Sequence, residues 1–129
     1  METGQIIIYV IIALIGAQIL RRMFLVKSIK QYSPVELSQK MKNSRELVLL
    51  DVRTPAERKS QSIKNSLHIP LAQLTNRADE LSKFKNKEIV CCCQTGSRSI
   101  SAASKLKKQG YTTANLKGGM IKWNAAGLR

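Results

Sequence analysis

The stretch Glu88-Ile89-Val90-Cys91-Cys92-Cys93-Gln94-Thr95-Gly96-Ser97-Arg98-Ser99 decides how this chain is read. Ile89 to Cys92 is a continuous apolar run, the pattern of a strand buried on both faces. From Ser99 to Gln109 the apolar Ile100, Ala103 and Leu106 recur at helical spacing, and Gly110 stands where a helix ends. Between strand and helix lies a short loop that begins in the only three cysteines of the chain and continues into a glycine and an arginine. In open α/β sheets ligands bind where strands end at their carboxyl edge. A loop there aims successive backbone N–H groups inward as an anion nest, backed by the start of the next helix. Gly96 permits the positive φ or close approach that such a curl needs, and Arg98 adds a fixed, forked set of donors. A cysteine at the head of the loop is stabilised as its thiolate, the nucleophilic form. Its natural targets are sulfur or phosphorus atoms carried by oxyanions.

The flanking sequence repeats the strand–helix alternation. Ser33-Pro34-Val35-Glu36 is a capping box with proline at the first helical position, and the helix it opens runs to about Met41. Glu46 to Asp51 reads as a second buried strand, and Thr54-Pro55-Ala56-Glu57 as a second capping box. Ser66-Leu67-His68-Ile69 is a short strand closed by Pro70. Leu71, Leu74, Ala78 and Leu81 have helical spacing, with a loop over residues 82–87. Thr113-Ala114-Asn115-Leu116 is a last strand, and Gly118-Gly119 precedes a final helix through Trp123. Strands alternating with helices predict an α/β fold, a parallel sheet with helices on both faces.

The first thirty residues are of another kind. From Gln5 to Leu20 there is no charge, and a helix over Gly4 to Leu20 would span roughly 25 Å. Continuing through Met23-Phe24-Leu25-Val26, with Arg21 and Arg22 reaching to the headgroups, fills a hydrocarbon layer of ~30 Å. A secretory signal would carry positive charge before the apolar run. Here Glu2 precedes it, and Arg21, Arg22, Lys27 and Lys30 follow. The sequence therefore predicts a single transmembrane anchor through residues 5–26, with the N-terminus outside and the rest cytoplasmic. Two units follow: an anchor with its basic juxtamembrane segment over 1–30, and a catalytic-type domain over 31–129.

Lys and Arg number 22 against 8 Asp and Glu, a net charge of +14, which favours anionic company. Aromatic residues make up only 5% and never interleave with basic ones as in single-strand binders, which argues against a nucleic-acid partner. Adjacent cysteines rarely reach disulfide geometry. Nor can consecutive cysteines wrap a tetrahedral zinc ion, so no metal or other cofactor is expected.

The loop Cys93-Gln94-Thr95-Gly96-Ser97-Arg98-Ser99 resembles the active loop of the rhodanese sulfurtransferases, of the form C-x-x-G-x-R-S. The resemblance extends to Leu50-Asp51-Val52-Arg53 with Glu57, to His68-Ile69-Pro70, to Gly110-Tyr111, and to Leu116-Lys117-Gly118-Gly119 with Trp123. It implies a rhodanese-like parallel sheet. It also implies that Cys93 takes a sulfane sulfur from an anionic donor such as thiosulfate and passes it, through a persulfide, to a thiol or cyanide. Gln94, Thr95, Gly96, Ser97 and Ser99 would hold the persulfide and donor, Arg98 would bind the donor's charge, and Asp51 and Arg53 would support the loop. Two features depart from the family: Gln61-Ser62 stands where it has Gly-His, and Asn65-Ser66 where a Gly-Ala would follow. Two other readings stay open, a non-catalytic binding module and a cysteine phosphatase or arsenate reductase counted as Cys92-x5-Arg98. For Cys91 and Cys92 the sequence favours buried small hydrophobes, with Cys92 alternatively a relay for sulfur. His68 reads as a bonded strand residue, and Trp123 as packing for the last helix.

Overall fold

Each of the four strands predicted after residue 30 forms and is parallel to its neighbours. The computed structural model describes residues 1–129. Its strands are β1 (Lys30–Tyr32), β2 (Leu47–Asp51), β3 (Leu67–His68), β4 (Glu88–Cys92) and β5 (Thr112–Leu116), in the order β1-β5-β4-β2-β3. All four pairings are parallel. The central β4 aligns Leu50 with Cys91 and Asp51 with Cys92 on one side, and Cys91 with Asn115 on the other.

The helices are α1 (Thr3–Ser28), α2 (Pro34–Asn43), α3 (Pro55–Ser60), α4 (Leu74–Arg77), α5 (Ser97–Lys108) and α6 (Gly119–Ala125). Side chains alternate across the strands, so the sheet has two cores. One joins Leu50, Ile89 and Cys91 to Ala102, Ala103 and Leu106 of α5 and to Leu74 and Leu81. The other joins Leu49, Val90 and Cys92 to Leu37 of α2 and to Met120 and Trp123 of α6. Helices thus cover both faces, as predicted.

Both capping boxes start their helices. Ser33 Oγ accepts from the Glu36 N–H, and Thr54 Oγ1 from that of Glu57, whose carboxylate in turn accepts from the Thr54 N–H. Two expectations need correction, and one strand was not foreseen. The helix predicted over 71–81 is instead a 3-10 turn (Leu71–Gln73), one turn of α4 and a second 3-10 stretch (Ala78–Phe84) that runs through the expected loop. Helix α5 begins at Ser97 rather than Ser99, because Gly96 at φ +97° turns the chain straight into it. The short β1 carries no hydrophobic signal, since Lys30 and Gln31 are polar and only Tyr32 is buried.

Helix α1 is exposed along its apolar length and is long and apolar enough to cross a membrane. Its last turns are not free. Ile29 enters the α5-side core, and Arg22 and Lys107 tie α1 to α5 by hydrogen bonds.

Candidate active site

Strand β4 and the residue after it place Cys91 and Cys93 on one side of the sheet and Cys92 on the other. Period-two alternation sends Cys91 into one core and Cys92 into the other. Burial pushes the Cys91 thiol up to about 12 and the Cys92 thiol well above its ordinary range. Both are therefore held as neutral thiols, and no hydrogen bond reaches either sulfur. Cys93 lies one residue past the strand and is equally buried, yet the loop bends around it. Gly96 N–H donates to its Sγ at 3.1 Å and Ser99 N–H at 3.4 Å, and Ser99 Oγ lies 3.3 Å away. Burial alone would raise this thiol too. The Ser99 hydroxyl, with the N–H groups of Ser99, Gly96 and Thr95, outweighs that and holds it below its ordinary value. Of the three sulfurs, Cys93 alone has its thiol lowered rather than raised.

A hydrogen-bond chain runs back from Ser99 through the sheet. Its hydroxyl donates to Asn115 Oδ1 at 2.5 Å, and Asn115 Nδ2 donates to Gln31 Oε1 at 2.8 Å. Ser99 has a single hydroxyl proton. Directed at Asn115, it leaves Oγ to accept from the Cys93 thiol; turned toward sulfur, it stabilises the thiolate. Gln31 and Asn115 went unnoticed in the sequence, where nothing local marks two polar residues 84 positions apart as partners.

The loop is braced from three sides. Met120 N–H donates to Cys93 O and Ile121 N–H to Gln94 O, laying α6 against the loop backbone. Gly119, at φ +59°, lets this approach happen: a Cβ there would collide with Cys93 O and lie 2.7 Å from the carbonyl carbon and oxygen of Gln94. From β2, the Asp51 carboxylate accepts from the backbone N–H, Nε and Nη2 of Arg53, both side chains being fully buried. Arg53 then donates to Gln94 Oε1 at 3.3 Å and to Gln61 O at 2.5 Å. Asp51 and Arg53 thus form a buried ion pair whose remaining donors reach Gln94 in the loop and the Gln61 carbonyl.

Arg98 does not reach Cys93 directly. Its guanidinium is forked onto Glu57, Nη1 to Oε1 at 2.6 Å and Nη2 to Oε2 at 2.8 Å, and this partner holds the Glu57 carboxyl down at about 2. Of the remaining loop residues, Gln94 is half-buried, whereas Thr95 and Ser97 are exposed. The departure at Gln61 is absorbed locally: its amide exchanges two 2.9 Å hydrogen bonds with that of Asn124 on α6. His68 bonds through Nε2 to Arg53 O at 2.7 Å, and Trp123 is buried in the second core, both as expected. No group of three or more His, Cys, Asp or Glu is placed to hold a metal ion.

A strand-end loop thus turns its N–H groups on one cysteine, with an arginine in the following helix, an arrangement suited to negative charge at that sulfur. Comparison with known proteins agrees: the family model of the rhodanese-like domain matches residues 33–126, and the chain belongs to that family. A sulfurtransferase of Allochromatium vinosum is 37% identical over 93 residues, covering 71% of this chain and 85% of its own. Among solved structures, a rhodanese-related protein from Thermoplasma volcanium superposes with a TM-score of 0.71 at 28% identity, over 78% of this chain and 95% of its own. A thiosulfate sulfurtransferase from Pseudomonas aeruginosa gives a TM-score of 0.72 at 27% identity, over 80% of this chain but 20% of that larger one.

Proposed function

We propose that this protein is a sulfurtransferase working through a persulfide on Cys93, tethered by α1 with its domain on the cytoplasmic side of a membrane. The observation that carries the reading is the convergence of Gly96 N–H, Ser99 N–H and Ser99 Oγ on Cys93 Sγ. The thiolate attacks the outer, sulfane sulfur of an anionic donor such as thiosulfate. The donor's S–S bond breaks with its electron pair leaving on sulfite, and Cys93 is left as a persulfide anion. An acceptor thiolate or cyanide then attacks the outer sulfur and releases the Cys93 thiolate. The loop N–H groups stabilise negative charge at each stage. Because Cys93 is fully buried in the closed loop, a donor reaches it only when residues 94–97 move aside. The half-exposed Arg98 is the cation that would meet an arriving anion.

The reading as a phosphatase or arsenate reductase needs Cys92 as nucleophile. Burial in the opposite core and a thiol pushed far up weigh against it.

Intact mass of the full-length protein after thiosulfate, beside Cys92→Ser and Cys93→Ser, tests this. The expected result is one added sulfur, removable by dithiothreitol and absent only from Cys93→Ser. An adduct lost in Cys92→Ser alone would return the loop to the longer register. A folded protein with no adduct in any form would mean a non-catalytic module.

A further inference from the structure

The direction of α1 relative to the sheet determines what the Cys93 loop looks out upon. Helix α1 leaves its uncharged stretch at Leu20 and continues without a break to Ser28. Ile29 is extended, and because Arg22 meets Ser97 and Ser28 meets Lys107, α1 runs alongside α5 and the chain reverses into β1. Strand β1 runs parallel to β5, aligning Tyr32 with Leu116 at the carboxyl edge of the sheet. The apolar part of α1 therefore arrives from the side of that edge, where the Cys93 loop lies.

Side-chain contacts fix this orientation. Arg22 donates through Nη2 to Ser97 O at 2.6 Å and Ser97 Oγ at 2.8 Å, and through Nη1 to Ser101 Oγ at 3.1 Å. Six residues further along α1, Ser28 O accepts from Lys107 Nζ at 2.9 Å, near the far end of α5. The two helices run side by side in the same direction, so the first turn of α5 is level with Arg22. Arg22 and Leu25, three residues apart on one helix face, are the less exposed residues of this segment, and Ile29 just past it is buried. Arg22 lies two residues past the uncharged stretch, a rise of about 3 Å, which puts it in the headgroup layer.

From this geometry we propose that the domain stands with the carboxyl edge of its sheet toward the lipid headgroups, so that the Cys93 loop opens onto the membrane surface. The proposal rests on the reading of α1 as a membrane anchor, with the span ending near Leu20 rather than at Val26, because residues 22–28 pack along α5. Arg22 is the positioning residue: it joins the anchor to Ser97, next to Gly96 in the active loop. Small anions reach the loop along the headgroup layer, and a bulky soluble protein is kept from it by the bilayer.

The test uses full-length protein in phosphatidylcholine vesicles doped with a nickel-chelating lipid. In a Cys93→Ser background the buried Cys91 and Cys92 take no label, and a Cys93→Ser sample without added cysteine checks this. A nitroxide is placed at Lys117→Cys, exposed just past β5 beside the loop, or at Asn86→Cys, exposed just before β4 at the opposite edge. The two edges are separated by a five-residue strand, roughly 16 Å. The expected result is flotation with the vesicles and relaxation by headgroup nickel several-fold stronger at position 117 than at 86. Adding Arg22→Ala should shrink that ratio toward one while flotation persists. Flotation with equal relaxation, or stronger relaxation at 86, would overturn the orientation and leave the anchor standing. Protein that stays unbound would overturn both, through the anchor.

Discussion

Arg98 is paired with Glu57 rather than aimed at Cys93, its guanidinium forked onto the carboxylate at 2.6 and 2.8 Å. The residue best suited to attract an anionic donor is thus half-neutralised by a helix-capping glutamate, and the pair joins α3 to the first turn of α5. Glu57→Gln keeps an oxygen for the Thr54 cap and removes the competing charge. It should lower the KM for thiosulfate about threefold, the size of an exposed pair worth ~0.2–1 kcal/mol, with kcat little changed. Arg98→Ala should raise KM by more. A KM that is the same in both variants as in the parent would mean that Arg98 plays no part in donor capture.

The same pair has a pH signature of known sign. Arg98 holds the folded-state Glu57 carboxyl at about 2, below its ordinary 4.5. A depressed acid stabilises the fold above its unfolded value and loses that contribution as pH falls through the folded one. The contribution should therefore fade between pH 4.5 and 2, and stay small because both side chains are about a third exposed. Melting temperatures of parent and Glu57→Gln, followed from pH 6 to 2, should converge across that window. Curves that remain parallel would show that the pair contributes nothing to stability.

What the sequence revealed and what it hid follow one physical line. Buried central strands announce themselves as apolar runs, and capping boxes as local patterns, so Leu47–Asp51, Glu88–Cys92 and the starts at Ser33 and Thr54 were readable. The cysteine loop was legible too, because it is contiguous. Strand β1 was not, since an edge strand of three residues with one buried side chain looks like any polar linker. The Gln31–Asn115–Ser99 chain, the Arg98–Glu57 fork and the Arg22–Ser97 bond join residues 16 to 84 positions apart. Such pairs exist only once the sheet has brought them together.

That buried chain should be visible in the titration of Cys93. Ser99 opposes the effect of burial on the thiol through both its hydroxyl and its N–H. Ser99→Ala removes the hydroxyl and leaves the N–H. The pH profile of iodoacetamide alkylation should then shift to the alkaline side. Asn115→Ala should shift it the other way, to the acid side, because the hydroxyl proton is no longer held by Asn115 Oδ1 and turns toward the sulfur. It should also cost about 1–3 kcal/mol of stability, as partners in a buried network go unsatisfied. Mass mapping should find the label on Cys93 alone, with Cys91 and Cys92 unmodified below pH 9. An unshifted profile in Ser99→Ala would assign the lowered thiol to the backbone N–H groups alone.

The close approach of α6 to the loop yields the sharpest stability contrast. Gly119 and Gly127 both have positive φ, +59° and +73°, so alanine at either takes on left-handed strain of ~1–2 kcal/mol. Their surroundings differ. Nothing lies within 4 Å of a Cβ at Gly127, whereas one at Gly119 would strike Cys93 O and the Gln94 carbonyl. Backbone cannot swing aside as a flexible side chain does, so Gly119→Ala must lift α6 off the loop. That breaks the Met120 N–H to Cys93 O and Ile121 N–H to Gln94 O bonds. Gly127→Ala should cost only the strain and leave alkylation of Cys93 unchanged. Gly119→Ala should cost about 1–3 kcal/mol more, for the buried groups left unsatisfied, and should slow alkylation at neutral pH at least tenfold. Denaturant melts and alkylation rates of the two variants, measured together, decide it. Equal losses in both would show that the loop does not depend on α6 for its shape.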